Sequence, residues 1–222
     1  MRNFLLTCLA LALVFFGAIL LSYFNRGVNA QKNGKVEMVA NPTSSASTNN
    51  NVVEIDGVLF ETLVLEPTLL IPENKPDAQT PVKFGIRISN KTQESIRFSR
   101  FDTLYPNLFR QDGEAIPLDG GRNGTLNPKE SDFPLAMPGE SVTLFLDGML
   151  SWQNNKLQLG GSDGFGGLWY FDDLEPGTYK FRFFYQSDRA ARQIFKPEEQ
   201  VLEEIWTGRV ATPFVEIRLV ES

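Results

Sequence analysis

From Val52 onward apolar residues recur at every second position, and this limits the possible folds more than any other feature. Val82, Phe84, Ile86 and Ile88 alternate with Lys83, Gly85, Arg87 and Ser89. The same spacing links Val142, Leu144 and Leu146, then Tyr179, Phe181, Phe183 and Tyr185, and finally Val215, Ile217 and Leu219. A period of two describes strands with one buried and one wet face. Val58 to Leu65 reads as an earlier, less regular strand. Turn residues fall between these runs at Asp112-Gly113, Pro138-Gly139 and Pro176-Gly177. Asn90-Lys91-Thr92-Gln93 is expected to turn the chain so that Ile96 and Phe98 return as a hairpin against the Val82 strand. One short helix is expected over Glu198 to Trp206, with Pro197 in its first turn and Val201, Leu202 and Ile205 on one face. An open sheet would leave its Phe, Ile and Tyr face in water, so the expected fold class is all-β, a two-sheet sandwich.

Ahead of this domain, Phe4 to Phe24 is an almost unbroken apolar run, about the length a helix needs to cross a bilayer. Its length favours an uncleaved transmembrane anchor. The small residues Val28 and Ala30 favour a signal peptide cleaved after Ala30, and both readings stay open. Cys8, the one cysteine, lies within the run and reads as an apolar side chain in lipid. Gln31 to Asn51 is rich in Asn, Ser and Thr and reads as a disordered polar tether. The expected organisation is an anchor or signal over 1–30, a tether over 31–51 and a β-sandwich domain over 52–222. Arg26, Lys32 and Lys35 follow the run and only Arg2 precedes it, so charge alone does not orient the chain. A single N-terminal apolar run most often serves export. The domain is therefore placed outside the cytoplasm, periplasmic or at the cell surface, or secreted if cleavage occurs.

The 222 residues include no histidine. A Ser-His-Asp triad, a Cys-His pair and a histidine metal site are thereby excluded, and no cysteine remains outside the apolar run for nucleophilic or zinc chemistry. The net charge of −6 offers nucleic acid no basic surface.

The order of turn motifs carries a resemblance. Asn90-Lys91-Thr92 follows a strand, then come Asp112-Gly113, Pro138-Gly139-Glu140, Leu174-Glu175-Pro176-Gly177-Thr178-Tyr179 and Trp206-Thr207-Gly208. This resembles the bacterial immunoglobulin-like domains of exported proteins, and is weakly similar to the intracellular proteinase inhibitor-type domain. The likeness spans roughly Val82 to Leu219 and implies an immunoglobulin-like sandwich. It implies no inhibitory residue, and two long insertions, Gly148 to Phe171 and Ser187 to Ile205, depart from the inhibitor pattern.

The most unusual segment is Gly148 to Phe171, expected to be a long loop. Trp152, Asn154, Asp163, Trp169 and Tyr170 within it are the candidate ligand-binding residues, since exposed aromatic rings beside polar groups suit a sugar or a peptide. The competing reading is that Trp152 and Trp169 plug the end of the sandwich and the glycines only permit tight turns. Asp163, Asp172 and Asp173 lack the calcium-loop spacing and read as solvated turn carboxylates. Glu198, Glu199, Glu203 and Glu204 read as a solvated face. No metal or cofactor is implied. The expected function is non-catalytic: a membrane-tethered interaction domain for a protein partner, through loops or a strand edge. A cell-envelope glycan module using the Trp152–Trp169 segment is the alternative. A carboxylate-dependent enzyme, the remaining reading, needs two carboxylates about 5–10 Å apart across one cleft.

Overall fold

The computed structural model describes residues 51–122, 124, 126–194 and 200–221. The apolar run, Cys8 and nearly all of the tether lie outside them. Among the described residues no helix is long and apolar enough to cross a membrane.

The described chain forms seventeen strands and one short 3-10 turn, Glu130–Asp132. In order these are β1 (Val53–Ile55), β2 (Val58–Val64), β3 (Thr68–Leu70), β4 (Gln79–Asn90), β5 (Ile96–Arg97), β6 (Leu104–Arg110), β7 (Ala115–Ile116), β8 (Asp119–Arg122) and β9 (Leu135–Ala136). They continue as β10 (Ser141–Gln153), β11 (Lys156–Ser162), β12 (Gly167–Leu174), β13 (Gly177–Ser187), β14 (Arg192–Ile194), β15 (Gln200–Leu202), β16 (Gly208–Ala211) and β17 (Val215–Val220). One sheet runs β1-β2-β4-β10-β11-β12-β8. The other runs β3-β17-β13-β6-β7, with β16 also paired to β13. Two small two-stranded sheets, β14-β15 and β5-β9, stand apart from these.

The expected alternation is what joins the large sheets. Val82, Phe84, Ile86 and Ile88 of β4 and Leu144, Leu146 and Leu150 of β10 are buried on one side, and Tyr179, Phe181, Phe183 and Tyr185 of β13 on the other. Phe84 and Phe181 stack across the interface with ring centroids 4.3 Å apart. Trp206 packs on Phe60 at 5.1 Å and Tyr185 at 5.4 Å, in the core. Each fully buried ring of this kind contributes about 1.5–3 kcal/mol relative to exposure. A second, smaller core gathers Phe101, Phe133, Phe165, Ile194, Leu202 and Ile205.

Three expectations differ from the structure. The β4 strand does not pair with the segment after it: β2 and β10 occupy its two edges, and β5 pairs with β9 instead. Asn90 diverts the chain. It is fully buried, donates to the carbonyls of Glu94 at 2.7 Å and Ala136 at 2.9 Å, and accepts the Thr92 N–H at 3.0 Å. The described part of the expected helix is not helical: Gln200–Leu202 form β15, paired with β14 and placing Leu202 in the second core, and Ile205 bridges Arg97. Residues 195–199 lie outside the description. Finally, Gly148 to Phe171 is a continuous antiparallel run through β10, β11 and β12 rather than a loop. Asn154 and Asn155, both at positive φ (51° and 60°), close its first turn in two residues, a hairpin geometry that asparagine tolerates.

Candidate functional site

A cleft of about 400 Å³ opens between the two large sheets where the β8–β12 edge faces the start of β6. It exists because β7 covers β6 only at Leu108 and Phe109, which leaves the stretch from Leu104 to Asn107 with a free edge. Leu104, Pro106, Leu118, Leu146 and Leu168 supply apolar walls. Leu168 stands 61 % exposed at the rim. The four residues of β8 line the same cleft, and among the described residues β8 ends its sheet with no strand on its other side.

Trp169 forms the inner wall. Its position on β12 follows the burial of Gly167 and Phe171 two residues to either side, and its ring lies against Gly148 of β10. A Cβ at Gly148 would sit 3.1 Å from the Trp169 ring, close enough that the ring would have to shift. Trp169 is 6 % exposed, and its indole Nε1 is fully buried with no acceptor. Among the described residues only one other side-chain nitrogen, Arg182 Nε, shares that condition. A buried donor left unpaired costs about 1–3 kcal/mol, and an ordered water or a ligand group is what satisfies such a donor.

The mouth is held by charge. Arg122 Nη2, from β8, donates to Asp102 Oδ1 at 2.8 Å and Asp163 Oδ2 at 2.7 Å. Asp102 precedes β6, so Arg122 spans from one sheet to the other. Asp163 Oδ1 also accepts the N–H groups of Phe165 at 2.7 Å and Gly167 at 2.8 Å, folding the β11–β12 turn around its carboxylate. Phe165 pins that turn to the second core, edge-on to Phe101 at 4.9 Å. Tyr105 donates its hydroxyl to the Asp102 carbonyl at 3.1 Å. Burial first, and then the Asp102 charge, raise its phenol pKa, so it stays a neutral donor in ordinary buffers.

Of the five residues the sequence singles out, the structure brings only Asp163 and Trp169 together here. Trp152 lies near the far end of the β10–β11 hairpin, half-buried, and donates to the Pro72 carbonyl at 2.7 Å. Asn154 is exposed in the hairpin turn beside it. Tyr170 leaves β12 on the face opposite Trp169, and the nearby Asp119 charge is the main cause of its raised phenol pKa. No shared aromatic platform therefore forms from Trp152 and Trp169. Asp172 and Asp173 are engaged by Gln158 at 2.8 Å and Lys156 at 2.7 Å. No group of three potential metal ligands occurs among the described residues.

Asp102 and Asp163 both line the cleft, and one guanidinium nitrogen, Arg122 Nη2, bridges them. That bridge ties the two sides of the cleft mouth together. Arg122, Tyr105, Asp102 and Leu168 carry no spacing signal in the sequence. Arg122 ends a stretch, Asp119-Gly120-Gly121-Arg122, that reads as a loop until its pairing with β12 is seen.

No protein-family model matches this sequence, and no curated protein matches it.

Proposed function

We propose that this domain is a non-catalytic interaction module, held outside the cytoplasm by its N-terminal apolar run, that grips an extended segment of a protein partner in the cleft between its sheets. The observation that carries this reading is the buried, unpaired Trp169 indole N–H in an apolar cleft. A peptide supplies both things this cleft lacks, an apolar side chain to fill it and a carbonyl to accept the N–H. The outer edge of β8, unpaired among the described residues, borders the same opening, and a strand edge offers backbone N–H and C=O groups to an extended chain. The engaged states of Asp102 and Asp163, and a chain without histidine, support binding rather than turnover.

The immunoglobulin-like assignment belongs to the same reading. Two layers packed face to face, antiparallel except where β3 runs parallel to β17, support it, as does the corner at Tyr179. Its hydroxyl donates to the Glu175 carbonyl at 2.8 Å and accepts the Glu175 N–H at 3.0 Å. A tyrosine bonded back to the chain just before its strand is a recurring device of that fold.

Leu168→Asp tests the function. Its side chain is mostly exposed, so the fold should keep its melting temperature while the rim loses apolar contact and gains a charge. Tagged full-length protein and this variant would be purified from native membranes in parallel. A stoichiometric partner recovered with the wild type and reduced at least tenfold with Leu168→Asp is the expected result. Equal recovery with both proteins contradicts the cleft reading.

A further inference from the structure

The outer face of the β13 sheet carries a second unpaired donor, in a different setting. Tyr179, Phe181, Phe183 and Tyr185 of β13 point into the core, so Lys180, Arg182 and Phe184 project outward. Phe109 of β6 projects to the same side, and Phe214 stands just before β17. Three rings surround the Arg182 guanidinium: its Cζ lies 4.4 Å from the centroid of Phe214, 5.0 Å from Phe184 and 5.6 Å from Phe109. Phe109 and Phe214 meet edge to face at 5.3 Å, which fixes the cage.

The Arg182 side chain makes no hydrogen bond and no ion pair among the described residues, and its Nε is buried without a partner. Burial lowers its pKa, a sign that water has been stripped from a charge that no carboxylate compensates. The rings attract the cation but accept none of its hydrogen bonds. The surrounding charge leans the same way. Lys180, Arg182, Arg209 and Arg218 face outward from β13, β16 and β17, with Glu216 the opposing charge on those strands. This contrasts with the chain's net charge of −6. Phe214 remains 42 % exposed, so the cage is open at its rim.

We infer that this face is a docking site for an acidic peptide segment, with one carboxylate gripping the Arg182 guanidinium and a flanking apolar side chain lying on Phe214 and Phe184. A planar guanidinium matches a carboxylate with two parallel N–H···O bonds. The rings already hold it in place, and much of its desolvation is incurred in the free protein, so pairing recovers more than it would at an open surface. The site stands apart from the cleft and does not rest on it: Leu168→Asp should leave it intact.

The test uses the full-length protein and two capped peptides, Gly-Phe-Glu-Phe-Gly and its amide twin Gly-Phe-Gln-Phe-Gly, with the Arg182 Nε–H resonance read by NMR. The acidic peptide should shift that resonance saturably and bind at least about tenfold more tightly than the amide. Arg182→Gln should remove the preference for the acid, and Arg182→Lys should weaken it by losing the two-pronged geometry. If Arg182→Gln proves misfolded, Phe214→Ala at the open rim serves instead and should weaken both peptides while keeping the acid preference. Equal binding of acid and amide overturns the proposal. So does an unchanged preference in a folded Arg182→Gln, or no saturable shift up to millimolar peptide.

Discussion

Thr62 and Thr212 tie the two sheets together through a buried hydrogen bond in the core. Thr62 Oγ1 donates to the Pro213 carbonyl at 2.5 Å and shares a 2.6 Å hydrogen bond with Thr212 Oγ1, which accepts the Phe183 N–H at 3.0 Å. Thr212→Val keeps the shape but leaves Thr62 and the Phe183 N–H short of a partner. It should lower stability by about 1–3 kcal/mol in denaturant titration. Tyr185 adds a pH dependence. Burial drives its phenol pKa upward, and its hydroxyl donates to the Ser99 carbonyl at 3.0 Å. A raised folded-state pKa means that its stabilising contribution is complete below the unfolded tyrosine value of about 10 and is lost as pH rises above it. Stability should therefore fall above about pH 10, with this residue contributing up to about 1.4 kcal/mol per pH unit. Tyr185→Phe should be less stable at neutral pH through the lost hydrogen bond, and should show a shallower alkaline decline. An unchanged alkaline slope in the variant would contradict this account of Tyr185.

Among the elements, β8 decides whether the cleft has a second wall. All four of its residues are exposed, so little apolar burial holds it, and it stays in place through close backbone approach to β12. A Cβ at Gly120 would lie 2.2 Å from the Leu168 carbonyl oxygen, a contact that only a backbone shift could relieve. Gly120→Val should unseat β8 while sparing the core. Hydrogen exchange should then quicken for the Gly167–Tyr170 amides that face it and stay slow in β4, β10 and β13. The same element shows where sequence legibility ends. Strands whose buried face alternates, such as Val82 to Ile88 or Tyr179 to Tyr185, are readable because burial alone sets their period. Gly160 and Gly161 in β11, and Gly120 in β8, hide theirs, since close strand approach leaves no room for the side chains that would carry the pattern. Strand order is hidden for another reason. Asn90 sends the chain away from its sequence neighbour through hydrogen bonds to Glu94 and Ala136, and a long-range partner cannot be read from spacing.

For the folded unit as a whole, the sandwich positions two surfaces that the sequence pattern does not announce. Asp163 and Trp169 are legible as candidate residues because a Trp and an Asp in a glycine-rich stretch stand out. Their partners Arg122, Asp102 and Tyr105 come from two other segments and meet them only through the pairing of β8 with β12 and the facing of the two sheets. The central claim is that a partner polypeptide enters this cleft, and site-specific photo-crosslinking in native membranes tests it most directly. A benzophenone side chain at Leu118, on the cleft wall, would be compared with one at Lys83, which projects from the far side of β4. The account predicts a discrete adduct with one partner protein from Leu118, absent from Lys83 and lost when Leu168→Asp is added. No adduct from Leu118, or the same adduct from both positions, would contradict it.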